Sequence, residues 1–264
     1  MDTVQEETAP GRRRLPQRQA LLIAVPVAAL SVVVTLVVVG HHGRHGPYAG
    51  PDPIRHSQVR EGGFRAGDTG LVVLDGVSGK IRVAAARNTT AVSGTYDDDH
   101  GGGIRARLEA AAGRHTLRIR CSAGDGSDAP CAGALRLTVP QHTGLRLRQT
   151  SGETDLEGLG GPLTVDTASD RMTATGLRSS NAVITVVSGS ADIAFARAPD
   201  SVALHATSAS AALRLPSAGK DGAYAVTPTA TSADVRIQVP HRAGAPHRVA
   251  LDVVSGSLAV LPAM

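Results

Sequence analysis

From Gly144 to Leu261 the chain alternates apolar and polar residues in short runs, and the runs repeat. A serine followed by a small or turn-forming residue recurs at Ser151-Gly152, Ser169-Asp170, Ser188-Gly189, Ser208-Ala209, Ser232-Ala233 and Ser255-Gly256, at spacings of 18, 19, 20, 24 and 23 residues. Among the positions six, four and two before each serine and three, five and seven after it, 29 of 36 are hydrophobic and none is charged. The 24 positions between them hold nine charges: Arg146, Arg148, Asp155, Glu157, Asp166, Asp192, Arg214, Arg236 and Asp252. A period of two with one dry and one wet face predicts β-strands, two per repeat, with the serines in the turns between them. In-register stacking of such units describes a β-solenoid, or β-helix-like domain, in which each coil hydrogen-bonds to the next. Ala, Val, Leu and Thr would fill the narrow gap inside a flattened coil, and Gly and Ser at the corners would permit tight turns.

Strands are also predicted from about Gly70 to Pro140, with less regularity. Leu71-Val72-Val73-Leu74 precedes Val77-Ser78-Gly79, and Ile81 and Val83 follow; Ile104, Ala106 and Leu108 alternate, as do Leu117, Ile119 and Cys121, then Leu135, Leu137 and Val139. The segments Asp97–Gly103 and Ser122–Pro130 read as loops. This half is expected to supply the amino-terminal coils of the same domain, interrupted by insertions.

Ahead of the strands lies a different pattern. Residues 20–39 carry no charge and read ALLIAVPVAALSVVVTLVVV, enough at about 1.5 Å per residue to cross a bilayer. Arg12, Arg13, Arg14 and Arg18 crowd the amino-terminal side, against Arg44 on the other. The positive-inside rule then puts the first 19 residues in the cytoplasm and the remainder outside. A cleaved signal peptide would have a shorter apolar stretch and an A-x-A-like site, so an uncleaved signal-anchor is expected. The organisation expected is therefore a cytoplasmic tail (1–19), one transmembrane helix (20–40), a Gly-, Pro- and His-rich juxtamembrane linker (41–69) and an extracytoplasmic all-β domain (70–264). Cys121 and Cys131, on the outer side with nine residues between them, are candidates for a disulfide.

The run Leu135-Arg136-Leu137-Thr138-Val139-Pro140, then Gly144-Leu145-Arg146-Leu147, then Thr150-Ser151-Gly152 and the stretch Leu156 to Ser169 resemble the bacterial putative adhesin family of uncharacterised function, also called toastrack. The resemblance covers roughly residues 70–261, and its motif is structural punctuation with no catalytic signature. It implies a β-solenoid-like extracytoplasmic domain, often on membrane-anchored proteins. Asp170, Ala209 and Ala233 depart from the usual Ser-Gly, which bears on the local turn shape.

Composition narrows the function. Aromatics make up 2% of the chain, there is no Trp, and Lys80 and Lys220 are the only lysines behind a formal net charge of +4. Without base-stacking aromatics or a strong basic patch, nucleic-acid binding is not expected. The repeated serines lack a G-x-S-x-G elbow and read as turn residues. Asp97, Asp98, Asp99 and His100 lack the pattern of a calcium loop and read as a solvated loop. His41, His42 and His45 read as spacer, Leu215–Gly219 only faintly as a sorting signal, and Asn88-Thr89-Thr90 as a weak glycosylation sequon. No catalytic, cofactor or metal residues are assigned.

The expectation is a single-pass cell-envelope protein, held in the lipid bilayer through residues 20–40, that displays its strands to an envelope protein or polysaccharide. The alternative is an envelope-stress sensor signalling through a membrane partner. A polysaccharide-active enzyme comes third.

Overall fold

The computed structural model describes residues 57–59, 62–98, 103–111, 114–122, 131–220 and 222–263. The tail, the apolar run, His41, His42 and His45 lie outside these residues, as do Asp99, His100 and the segment 123–130. Every regular element among the described residues is a strand. In chain order they are β1 (Ser57–Val59), β2 (Gly62–Gly67), β3 (Thr69–Asp75), β4 (Val77–Ala86), β5 (Ala91–Asp98), β6 (Gly103–Ala111), β7 (Arg114–Ser122), β8 (Cys131–Pro140), β9 (Gly144–Glu157), β10 (Leu163–Leu177), β11 (Asn181–Phe195), β12 (Ser201–Leu215), β13 (Ala225–Ile237) and β14 (Arg248–Pro262). β1 and β2 fall within the stretch read above as linker. Asp97 and Asp98, read as loop, end β5, where antiparallel pairing with Ala134 and Gly133 of β8 holds them.

β9 to β12, then β14 and β13, pair in parallel and in register. Val165 pairs with Ile184, Ile184 with Leu204 and Leu204 with Leu251; Ser169 pairs with Ser188, and Ser208 with Ser255. Each of β9 to β14 runs through its serine without interruption, so a repeat is one long strand with a corner inside it. The corner shows in the burial. In β11 the even residues Ala182, Ile184 and Val186 are buried before Ser188, and the odd residues Ala191, Ile193 and Phe195 after it. This change of parity keeps both halves of a rung facing one core of Leu, Val, Ile and Ala.

Two features of the order depart from consecutive coils. At the carboxy-terminal end β14 lies between β12 and β13, so the last repeat in the chain is the last but one in the stack. At the other end β3 and β4, joined through Gly76, form one rung that stacks in parallel on β9; β7 and β8 stack in parallel on its far side. Beyond them β5 and β6, then β1 and β2, pair in antiparallel fashion. The amino-terminal part is thus a parallel pair of rungs capped by antiparallel strands.

Corner sterics give a physical reason for the carboxy-terminal exchange. The residue after the serine has positive φ at Gly152 (135°), Gly189 (110°) and Gly256 (106°), whereas Asp170, Ala209 and Ala233 do not. From β9 onward the two kinds alternate along the stack. A Cβ on Gly189 would stand 2.1 Å from the carbonyl oxygen of Asp170, and one on Gly256 2.1 Å from that of Ala209. The rung that follows β12 therefore needs glycine at its corner. β14 offers Gly256 and β13 only Ala233, so β13 is left for the edge, where no rung lies beyond its corner. The two connections this exchange requires are tied down by Tyr224, which is buried, with its hydroxyl donating to the Pro216 carbonyl at 2.6 Å and its backbone paired with Pro240 and Arg242. Burial pushes the Tyr224 phenol up to about 12, which keeps it a donor.

Candidate interaction surface

The corner serines bond to one another and to backbone. Ser169 and Ser188 hydroxyls lie 3.0 Å apart, those of Ser208 and Ser255 3.2 Å apart, and Ser188 and Ser255 donate to the carbonyls of Ala168 and Thr207. Ser232 pairs in register with Ser255 at the edge, and Ser151 accepts through its carbonyl from Gln149. These contacts fix the corner ridge. No group of three or more His, Cys, Asp or Glu suited to a metal ion occurs among the described residues. Asn88 lies in the turn after β4, and Leu215 ends β12 with Pro216–Gly219 in the connection that follows.

One buried polar group belongs to this ridge. Gly79 and Gly152 are adjacent corners, both at positive φ, and the Gln149 amide donates 2.9 Å to the Gly79 carbonyl. Gln149 in turn accepts from the Thr154 hydroxyl, and both side chains are buried. One rung further, Asp170 points inward at 5% exposure, and neither carboxylate oxygen has a hydrogen-bond partner. Burial raises its carboxyl above the ordinary aspartate range. The nearby Thr154 hydroxyl and Arg171 amide oppose the shift, and the Glu153 and Asp155 charges add to it. Ala209 occupies the equivalent inward corner at 3% exposure, so alanine fits there.

Asp170→Ala is accordingly expected to stabilise the domain at neutral pH by about 1–3 kcal/mol, the usual cost of an unsatisfied buried polar group. The sign with pH follows from the raised carboxyl. Stability associated with Asp170 is fully present below its unfolded pKa, and is lost as pH rises through the higher folded value. The advantage of Asp170→Ala should therefore shrink as the pH is lowered from neutral toward about 4, the ordinary aspartate value. Urea midpoints of the two proteins at both pH values check this; an advantage that widens in acid would contradict it.

Outside the core, the two halves of the rungs present two faces. The second face, from β4 and the halves after the corner, carries four ion pairs among the described residues. Lys80 meets Glu153 at 3.0 Å, Arg82 meets Glu157 at 3.2 Å, Arg214 meets Asp192, and Arg236 meets Asp234 at 2.9 Å. The first face gathers arginines and acids, with Asp166 registered beside Arg148 and His205 3.5 Å from Asp252. Register sets Arg118 beside Val73 and Val73 beside Arg146, and sets Arg120 beside Asp75 and Asp75 beside Arg148. Arg107 and Arg105 of β6 register with Arg118 and Arg120. In the sequence these residues are scattered over more than forty positions, which is why no basic run announces them. Farther along the same face stand Val183, Val187 and Val254, each more than 40% exposed, the large exposed hydrophobics of the described residues.

The two cysteines are brought to one corner by the backbone. Arg120 registers with Asp75 and Cys131 with Val77, so Cys121, which follows Arg120, and Cys131 both lie beside the corner that Gly76 makes in the next rung. Their side chains lie outside the described residues.

No protein-family profile matches the chain, and no curated protein matches it significantly. Among solved structures, it is similar to a putative cell adhesion protein from Clostridium sporogenes, with a TM-score of 0.48 and 12% identity over 77% of this chain and 100% of that one. It is also similar to a putative adhesin from Bacteroides fragilis (TM-score 0.34, 9% identity, 80% and 100% covered) and a putative lipid binding protein from Parabacteroides distasonis (0.30, 12%, 78% and 97%). At these identities and scores no activity passes from them to this chain.

Proposed function

We propose that the chain is a membrane-anchored cell-envelope protein whose stacked rungs form a β-solenoid displayed outside the membrane as a non-catalytic interaction module. The observation that carries this reading is the parallel in-register ladder itself. It commits nearly all inward positions to one aliphatic core and leaves two broad outward faces whose side chains are set by register. The anchor in this reading is the uncharged run of residues 20–39, with the arginines before it held in the cytoplasm. The partner is an envelope protein or polysaccharide met by an outward face.

Trypsin added to intact cells should degrade the strand domain while cytoplasmic proteins remain intact. A domain that survives on intact cells and is lost on permeabilisation would invert the topology. In the same compartment Cys121 and Cys131 are expected to be joined. Such a closure of a short loop stabilises by about 2–3 kcal/mol in the chain-entropy model. Alkylation of the unfolded chain should modify neither cysteine before reduction and both after it; modification without reductant would refute the bridge.

A further inference from the structure

We propose that the β9 corner closes covalently: the Thr154 hydroxyl attacks the Gln149 side-chain amide, and an ester joins the two residues as ammonia leaves. The inference stands on the corner itself and holds wherever the domain is displayed.

Three observations meet at this corner. The first is placement. Gln149 and Thr154 flank the Gly152 corner at inward positions, and both are buried. At the same two places β11 carries Val186 and Ala191, and β12 carries Ala206 and Ala211. An amide and a hydroxyl thus stand in an otherwise aliphatic core, with the Thr154 hydroxyl oxygen 2.5 Å from the Gln149 amide oxygen. The amide carbon lies one C=O bond, about 1.2 Å, beyond that oxygen. The hydroxyl is therefore within about 4 Å of the carbon it would attack, close to the roughly 3–3.5 Å of a near-attack arrangement. The second is the leaving group. The amide nitrogen donates to the carbonyls of Gly79 at 2.9 Å and Ser151 at 3.0 Å, which keeps the amide oxygen turned toward Thr154. Gly79 is partly exposed and Ser151 exposed, so ammonia released there has a way to solvent. The third is Asp170. Its inward carboxyl comes from the next rung, in register with Gly152, and both of its oxygens are without a partner. Burial favours the protonated form of that carboxyl, and the Thr154 hydroxyl is near enough to oppose the shift.

A carboxylic acid with two free oxygens can give a proton from one and take a proton on the other. As the Thr154 oxygen bonds to the Gln149 amide carbon, its proton passes to one Asp170 oxygen, and the proton on the other passes to the amide oxygen. The tetrahedral centre then collapses. Asp170 returns a proton to the nitrogen and takes one from the former amide oxygen, the C–N bond breaks with its electron pair on nitrogen, and the carbonyl re-forms. The hydroxyl and the primary amide have become an ester and ammonia, and Asp170 ends as it began. Ammonia is diluted and protonated in water, while the closed core keeps water from the ester.

In chains that both carry Thr154→Val no link forms, so the urea comparison of Asp170 with Ala then reads the carboxyl alone. The link itself is tested by the intact mass of the reduced full chain, which is expected to fall short of its sequence by one ammonia. A protease that cuts after glutamate parts residue 149 from residue 154 at Glu153. The fragment beginning at Thr154 should stay attached to the one holding Gln149, and hydroxylamine should release it. Cleavage after arginine is avoided, because it would leave Gln149 at a new amino terminus, where glutamine loses ammonia unaided. Thr154→Val and Asp170→Ala should each restore the full mass and free the fragment; Ala209 at the equivalent corner shows that alanine fits there. Thr154→Ser should keep the link, as should Thr167→Val, whose hydroxyl is bonded to the Thr185 carbonyl. A wild-type chain of full mass whose fragments separate overturns the link. A link that forms in Asp170→Ala overturns the proton transfer through Asp170.

Discussion

Gly189→Ala is expected to destabilise the domain by about 3–5 kcal/mol, a large share of the 5–15 kcal/mol typical of a folded domain. Gly189 has a φ of 110°, where an L side chain is strained by about 1–3 kcal/mol. The added methyl would lie 2.1 Å from the Asp170 carbonyl oxygen and 3.0 Å from its carbonyl carbon. That oxygen belongs to backbone within the β10–β11 ladder and cannot swing away as a side chain would. Relief requires the two rungs to part, adding about 1–3 kcal/mol of overpacking. Ala209→Gly at the next corner is the control. It removes one buried methyl and should cost about 1 kcal/mol. Urea unfolding followed by far-ultraviolet dichroism measures both, and comparable losses would refute the asymmetry of the corners. The same argument makes Gly256→Ala severe, since its neighbour is the Ala209 carbonyl at the same 2.1 Å.

Leu204→Asp should be at least as damaging. Leu204 is fully buried between Ile184 and Leu251, its register partners on the two adjoining rungs. A carboxylate there has no polar group of its column to meet, and an ionised side chain in such a site costs several kcal/mol or forces the rungs apart. Ala203→Asp, one residue away on the outward face, should change stability by no more than about 0.5 kcal/mol. Its neighbours are Val183 and Ala250, which leave it partly exposed. The expected result is loss of cooperative unfolding for Leu204→Asp and a wild-type curve for Ala203→Asp. Similar curves for the two variants would mean that the inward and outward assignments are wrong.

Both predictions rest on features that differ in how openly the chain displays them. Leu204, Ile184 and Leu251 can be matched by counting from their serines, because a two-residue period and a fixed offset survive in any one repeat. The parallel pairing of β9, β10, β11 and β12 follows, since neighbouring repeats of equal length bury their seams only by stacking. The irregular lengths between Leu215 and Arg248 conceal the exchange of β13 and β14. Its trace is present as Ala233 against Gly256, but it acquires meaning only when the Ala209 carbonyl is seen to fill the space a Cβ would need. Asp170 is similar: in the sequence it is a departure from Ser-Gly, and in the fold it is a carboxyl turned inward without a partner.

The alternation of apolar and polar residues thus determined the strand class, the buried positions and the register of the repeats, because those depend on local period and on burial that each repeat achieves in the same way. Tertiary structure alone decided the order of the rungs, the antiparallel cap and the gathering of Arg118, Arg120, Arg146 and Arg148 on one face. Those depend on contacts between backbone carbonyls and side chains far apart in the chain, where steric room and spatial proximity, not sequence period, set the outcome.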